Sequence, residues 1–71
     1  MSEREARRAL IRQVLVAEHV ASQDQLLRHL QGHGVTTTQA TLSRDLRDMG
    51  ITRSMTARGP RYEVDLRGRY M

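Results

Sequence analysis

Gln39, Thr41, Ser43, Arg44 and Arg47 lie close together in the chain, and their side chains carry the donors and acceptors that recognise base edges. An arginine fork bonds O6 and N7 of guanine at once, glutamine serves adenine or a phosphate, and hydroxyls donate or accept. Thr41 adds a methyl group. On a helical wheel of about 100° per residue with Leu42 at zero, Leu42, Leu46 and Met49 form one apolar face. Ala40, Arg44 and Arg47 then point outward, flanked by Thr41, Ser43 and Asp48. Ala40 is small and allows close approach, and the start of such a helix carries partial positive charge toward phosphates. Asp45 and Asp48 would repel a phosphate if they faced one; Asp45 sits nearer the core side, placed to pair with a neighbouring arginine. A second basic group, Arg53, Arg58 and Arg61, follows in the C-terminal third.

The charge distribution agrees with those residues. Twelve basic residues stand against eight acidic, a net charge of +4, and every basic residue is arginine. Arginine suits phosphate and base recognition because its planar fork bonds two acceptors together. Residues 1–21 carry four Arg and three acids, residues 22–50 three and three, residues 51–71 five and two. The basic surplus therefore sits at the C-terminal end, where an element would meet a polyanion.

With 71 residues there is room for one small domain. Such a chain buries only about 60% of its unfolded surface, so its core is thin and a deep enclosed pocket is not expected. There is no cysteine, which excludes disulfides, thiol catalysis and cysteine-based zinc sites. No apolar run approaches the roughly 18 residues of a membrane span. The charged start, Met1–Arg8, is followed by no apolar stretch of the signal-peptide kind.

The periodicity predicts three helices. Residues 3–18 lack Gly and Pro, and Ala6, Leu10, Val14 and Ala17 recur at helical spacing, widened by Ile11 and Leu15. Arg4, Arg8 and Arg12 fall on the other side. Ser2 or Glu3 begins this helix. Ser22-Gln23-Asp24-Gln25 has the form of a capping box, with Val20 before it as a staple-like contact. The second helix buries Leu26, Leu27 and Leu30 and stops at Gly34. Thr36, Thr37 and Thr38 each offer a cap; Thr38, directly before Gln39, is the choice for a third helix from about Gln39 to Met49, ended by Gly50. The pattern then alternates. Ile51–Met55 and Arg61–Val64 are expected strands, with Ala57-Arg58-Gly59-Pro60 as the turn. Three short helices and a basic hairpin are the order of a winged helix-turn-helix, mainly α with a small β-hairpin as the wing. Residues 65–71 are expected to be a tail or linker stub.

Thr38-Gln39-Ala40-Thr41-Leu42-Ser43-Arg44-Asp45-Leu46 resembles the recognition-helix signature of bacterial arginine repressors. Ser22-Gln23 with Leu26 and Leu30, Gly50 with the basic strand after it, and Tyr62 are similar to the same family. The resemblance covers roughly residues 5–64; Thr37 departs from it, standing where an aliphatic residue is usual. It implies that residues 1–64 are an N-terminal DNA-binding domain of a cytoplasmic transcriptional regulator, controlling arginine biosynthesis and catabolism genes. It implies double-stranded operator DNA as the partner. The DNA contacts fall on Ser43 and Arg44, with Gln39 and Thr41 on neighbouring positions. L-arginine as co-repressor and a homo-hexameric form belong to a C-terminal domain that residues 65–71 would lead into. The domain alone is expected to be a monomer without cofactor, metal, membrane or catalytic role.

Other uses of these residues are weaker. His29 and His33 are four apart, a spacing that can clamp a metal, but only His19 remains as a third imidazole. Ser43 lies near Asp45 and Asp48 with no histidine in the same helix, which is poor support for catalysis. Tyr62 and Tyr70 are the only aromatics, too few for a platform that stacks single-stranded bases. The competing reading is a winged helix used for protein–protein contacts, since fold does not fix function. Arg44, Arg47, Arg53, Arg58 and Arg61 on the exposed helix face and wing favour DNA.

Overall fold

The computed structural model describes residues 2–64. Helices α1 (Glu3–Ala17), α2 (Gln23–Gly32) and α3 (Gln39–Asp48) precede strands β1 (Thr52–Thr56) and β2 (Gly59–Glu63). The two strands form one antiparallel hairpin. This is the mainly helical, winged helix-turn-helix order expected. The tail expected over residues 65–71 lies outside the described residues.

Each helix begins on a hydroxyl. The Glu5 amide donates to Ser2 Oγ at 3.1 Å, and the Ser2 amide donates back to Glu5 Oε1 at 3.1 Å. This reciprocal box satisfies two otherwise orphaned donors. Ser22 caps α2 by accepting from the Gln25 amide at 3.2 Å. Gln25 does not close that box as expected: its Oε1 accepts from Ala21, one residue earlier, at 2.7 Å. Thr38 caps α3, accepting from the Thr41 amide at 3.2 Å. The ends of α2 and α3 are alike. Gly34 and Gly50 stand at φ +85° and +72°, values that only glycine adopts cheaply. In each, the next residue's amide reaches back five residues: Val35 to Leu30 O and Ile51 to Leu46 O, both at 2.9 Å. The glycine amides bond Gln31 O and Arg47 O, which completes a Schellman pair at each end.

The core is formed by Ile11, Val14, Leu15, Val20, Leu26, Leu30, Leu42, Leu46, Met49, Ile51 and Tyr62, with Leu10, Leu27, Val35 and Val64 packed against it. Helix α3 buries its expected face. Helix α1 is rotated from the expected stripe. Ala6 and Ala17 are exposed and Leu10 is half-buried, while Ile11, Val14 and Leu15 turn inward. Larger side chains remove more apolar area from water, so they and not the alanines set the rotation. That rotation carries Arg8 away from the solvent side where the stripe had placed it.

The hairpin is shifted and tightened relative to expectation. Ile51 is a core residue before β1, and β1 gains Thr56. The four-residue turn shrinks to Ala57 and Arg58, because Gly59 and Pro60 pair with Thr56 and Met55. Pro60 is tolerated because the amides at its parity face away from β1. Two residues on, the Tyr62 amide donates outward to Val20 O at 2.9 Å, so the missing Pro60 donor costs the ladder nothing. His19 Nε2 lies 3.1 Å from Pro60 O. The outer edge of β2 thus rests on the α1–α2 connection.

Among the described residues, one charged side chain is buried against the core. Asp45 is 2% exposed. Arg7 grips its carboxylate through Nε and Nη2, the latter at 3.1 Å, and Arg8 Nε adds a bond at 3.0 Å. Arg8 Nη2 also holds Asp48 at 3.0 Å. Asp48 is thereby linked to α1 and not to Arg44 of its own helix. Burial by itself raises the Asp45 carboxyl, but hydrogen bonds and charge from Arg7 and Arg8 outweigh it and hold it below the usual carboxylate range.

A depressed folded-state value contributes stability above the unfolded value, about 3.9 for Asp. That contribution is whole above about pH 5 and is lost as the pH falls below about 4 toward the folded value. Asp45→Asn keeps the shape and removes the charge. At neutral pH it should cost about 3 kcal/mol, the low end for breaking a buried pair, since the Arg7 and Arg8 side chains keep 14% and 22% exposure. Melting curves from pH 7 to pH 2.5 should show a flatter acid limb for the variant. An acid limb as steep as the wild type's would mean that Asp45 is not the titrating link.

Candidate nucleic-acid interface

Helix α3 presents the residues that its sequence singles out. Gln39, Ala40, Arg44 and Arg47 are exposed, and Thr41 and Ser43 are half-buried beside them. Asp45 and Asp48 are both held by α1. Among the described residues Arg44 and Arg47 form no ion pair. The outward face is therefore positive, although α3 contains two arginines and two aspartates. The hydroxyls are not idle. Thr38 Oγ1 donates to Thr41 Oγ1 at 3.0 Å, and Ser43 Oγ donates to Gln23 Oε1, at the start of α2, at 2.8 Å.

The hairpin arginines are placed differently from one another. Arg53 is exposed and its Nη1 donates to Ala21 O at 3.2 Å. Ala21 directly precedes the Ser22 cap, so Arg53 stands beside the same α2 N-terminus that Ser43 touches from α3. Arg58 is exposed at the tip. Its amide donates to Thr56 Oγ1 at 3.1 Å, and that hydroxyl donates to Gly59 O at 2.7 Å, which holds the tip. Arg61 pairs with Ser54, one step along from the Arg53–Tyr62 pair. Alternate positions project to opposite faces, so Arg53 and Arg61 leave the hairpin on opposite sides. Arg61 is half-buried and its Nε is buried without a hydrogen-bond partner. It lines one depression with Arg58, Ala17, Glu18 and His19, at the C-terminal end of α1, where cations are favoured.

Arg7, Arg8 and Gln23 were not among the site residues expected from sequence. A signal for the first two exists. Arg7 is four residues before Ile11, and Asp45 is three after Leu42 and four before Met49. Opposite charges on two apolar stripes mark a buried bridge between helices. Gln23 carries no such signal, because its partner is 20 residues away on another helix. His19, His29 and His33 line an open depression of about 390 Å³ with Gln25 and Arg28. No group of three or more His, Asp or Glu among the described residues is placed to hold a metal ion. No helix among them is long and apolar enough to cross a membrane.

Comparison with known proteins fits this geometry. Residues 2–65 match the family model described as arginine repressor, DNA binding domain. An arginine repressor of Chlorobium phaeovibrioides is 50% identical over 56 residues, covering 79% of this chain and 38% of that protein. One from Streptococcus equi subsp. zooepidemicus is 45% identical over 56 residues, covering 79% and 39%. One from Enterococcus faecalis is 42% identical over 53 residues, covering 75% and 35%. The chain spans about two fifths of the length of these relatives. The outward positive face of α3, the hairpin beside it and a match over almost all described residues lead to one conclusion: this chain belongs to the arginine repressor family, as its DNA-binding domain.

Proposed function

We propose that this domain binds double-stranded operator DNA by laying α3 in the major groove. Gln39, Thr41, Ser43, Arg44 and Arg47 face the bases and flanking phosphates. Arg53, Arg58 and Arg61 of the wing meet the sugar–phosphate backbone, with Arg58 near enough to the tip to enter the adjacent minor groove. The observation that carries this reading is the unpaired state of Arg44 and Arg47 among the described residues, while the two aspartates of the same helix are neutralised by α1. A solvated helix face built for solubility would pair its own charges at i and i+4. The regulated genes are those of arginine biosynthesis and catabolism in a bacterial cytoplasm. L-arginine acts as co-repressor and a homo-hexamer forms through a further domain, in keeping with the greater length of the relatives. The role is regulatory and not enzymatic. A mobility-shift titration on operator duplex, scrambled duplex and single strand tests the reading. Binding to none of them would turn the domain into a protein-contact module.

Arg44→Ala should cost about 1–3 kcal/mol on specific duplex and relax preference at one base pair. Equal weakening on specific and scrambled duplexes would reduce Arg44 to a phosphate contact.

The wing arginines should act through salt. Each phosphate contact removed from the wing lowers the slope of log K against log salt by about 0.9 and leaves the ranking of sequences intact. Arg53→Ala, Arg58→Ala and Arg61→Ala, titrated across salt, measure this one by one. Unchanged slopes for all three would place the wing off the DNA.

Alone, the domain should bind weakly and ignore L-arginine. Non-specific binding lies around 10⁻⁴–10⁻⁶ M at physiological salt, and a single half-site adds modestly to that. Joining copies makes later contacts intramolecular and can raise avidity by about 10²–10⁴. Calorimetry with L-arginine should show no saturable heat, and its addition should leave the DNA titration unchanged. Saturable binding would move the effector site into this domain.

A further inference from the structure

Ser43 stands on the face of α3 that the proposed function turns toward DNA, and its hydroxyl is already engaged. A serine hydroxyl has one donor and two acceptor lone pairs. The single proton of Ser43 is given to Gln23 Oε1 at 2.8 Å. What remains for a ligand is acceptor capacity.

The partner is well anchored. Gln23 is the first residue of α2, half-buried, and the segment before it is tied down on several sides. Val20 O accepts from the Tyr62 amide, Ala21 O accepts from Arg53, and the Ala21 amide donates to Gln25 Oε1. Ser22 then caps the helix. The Gln23 backbone is thus set by the wing and by the α2 cap, independently of α3. A hydroxyl rotor costs little to turn, so a fixed external acceptor decides where its proton points. Interactions held by rigid neighbouring elements keep their geometry when a ligand arrives.

We infer that Gln23 is a positioning residue that makes Ser43 an acceptor-only reader of base edges, and so selects a base carrying an exocyclic amino group. The inference rests on the DNA reading above. In the major groove the exposed donors are N4 of cytosine and N6 of adenine; guanine O6 and N7 and thymine O4 are acceptors. With its proton committed to Gln23, Ser43 favours cytosine or adenine at the position it faces. Guanine or thymine there would set two acceptors against each other.

The test is base preference at one position, which a merely structural role would not move. Duplexes carrying each of the four base pairs at every operator position are titrated with wild type, Gln23→Leu, Gln23→Glu, Ser43→Ala and the Gln23→Leu/Ser43→Ala double variant. Melting curves are taken for each protein. The wild type should favour an amino-bearing base by about five- to tenfold at one position, the worth of one hydrogen bond. Gln23→Leu frees the hydroxyl to donate, and that preference should fall to about twofold or less at the same position alone. Gln23→Glu keeps an acceptor for the Ser43 proton. It should retain the preference while binding all duplexes more weakly, because it adds a negative charge. Ser43→Ala should erase the preference, and Gln23→Leu added to it should change that position no further. Gln23→Leu with the preference intact overturns the inference, whether its affinity or melting temperature falls or not. A preference lost in Gln23→Glu as fully as in Gln23→Leu also overturns it. A wild type that binds duplex but favours an amino-bearing base at no single position overturns the inference alone, whereas one that binds no duplex overturns the DNA reading itself.

Discussion

Two consecutive arginines of α1 converge on one carboxylate of α3, and much of the domain depends on that contact. A carboxylate as covered as Asp45 is tolerated only when it is paired and hydrogen-bonded. Arg7 and Arg8 supply both conditions. The bridge is directional where apolar packing is not. Leu42, Leu46 and Met49 would accept small rotations of α3 about its own axis, whereas a two-pronged guanidinium grip on Asp45 would not. The rotation of α3 decides which side chains face outward, so a contact on the inner side of the helix governs the chemistry of the outer side.

The same bridge settles a problem of electrostatic sign. Arg44, Asp45, Arg47 and Asp48 sum to zero, and a helix with that sum has no evident appeal for a polyanion. Arg7 and Arg8 remove both negative charges from the outward face, Asp45 by burial and Asp48 by pairing. Their own positive charges are spent in doing so. Among the described residues, α1 thus commits two of its four arginines to pairs with α3, while Arg44 and Arg47 of α3 and Arg53 and Arg58 of the hairpin stay exposed.

The N-terminus of α2 is where the remaining parts meet. It touches α3 through Gln23 and Ser43, and the residue before its cap touches the wing through Arg53. One step earlier, Val20 is both a core residue and the acceptor for the outer edge of β2. A two-stranded hairpin is marginal by itself, and this one is held because its amides and side chains have partners along the α1–α2 connection. Helix α3 and the hairpin are consequently fixed to a common support. They need that support because a core this thin leaves little packing to hold an appendage in place.

How far the sequence reaches depends on how local the cause is. Three helices and a hairpin were legible because caps, glycine stops and periodicities act within a few residues. Thr38 before α3 and Gly34 and Gly50 after α2 and α3 needed no knowledge of the rest of the chain. The inward face of α3 was legible for the same reason, as was the outward position of Arg44 and Arg47, and a run as distinctive as Thr38–Leu46 carried the family. The rotation of α1 was not, since alanines fit the helical period as well as Ile11 and Leu15 do, and only the partner surface shows which set is covered. The hairpin register was not, since Pro60 is acceptable or not according to which edge its missing amide faces, and Val20 and Tyr62 decide that from different ends of the chain. The roles of Arg7, Arg8 and Gln23 were not, because each is defined by an atom at least 20 residues away. Sequence therefore determined the elements and the chemical kind of the exposed surface, while tertiary structure alone decided which charges cancel and which hydroxyl has a proton left to give.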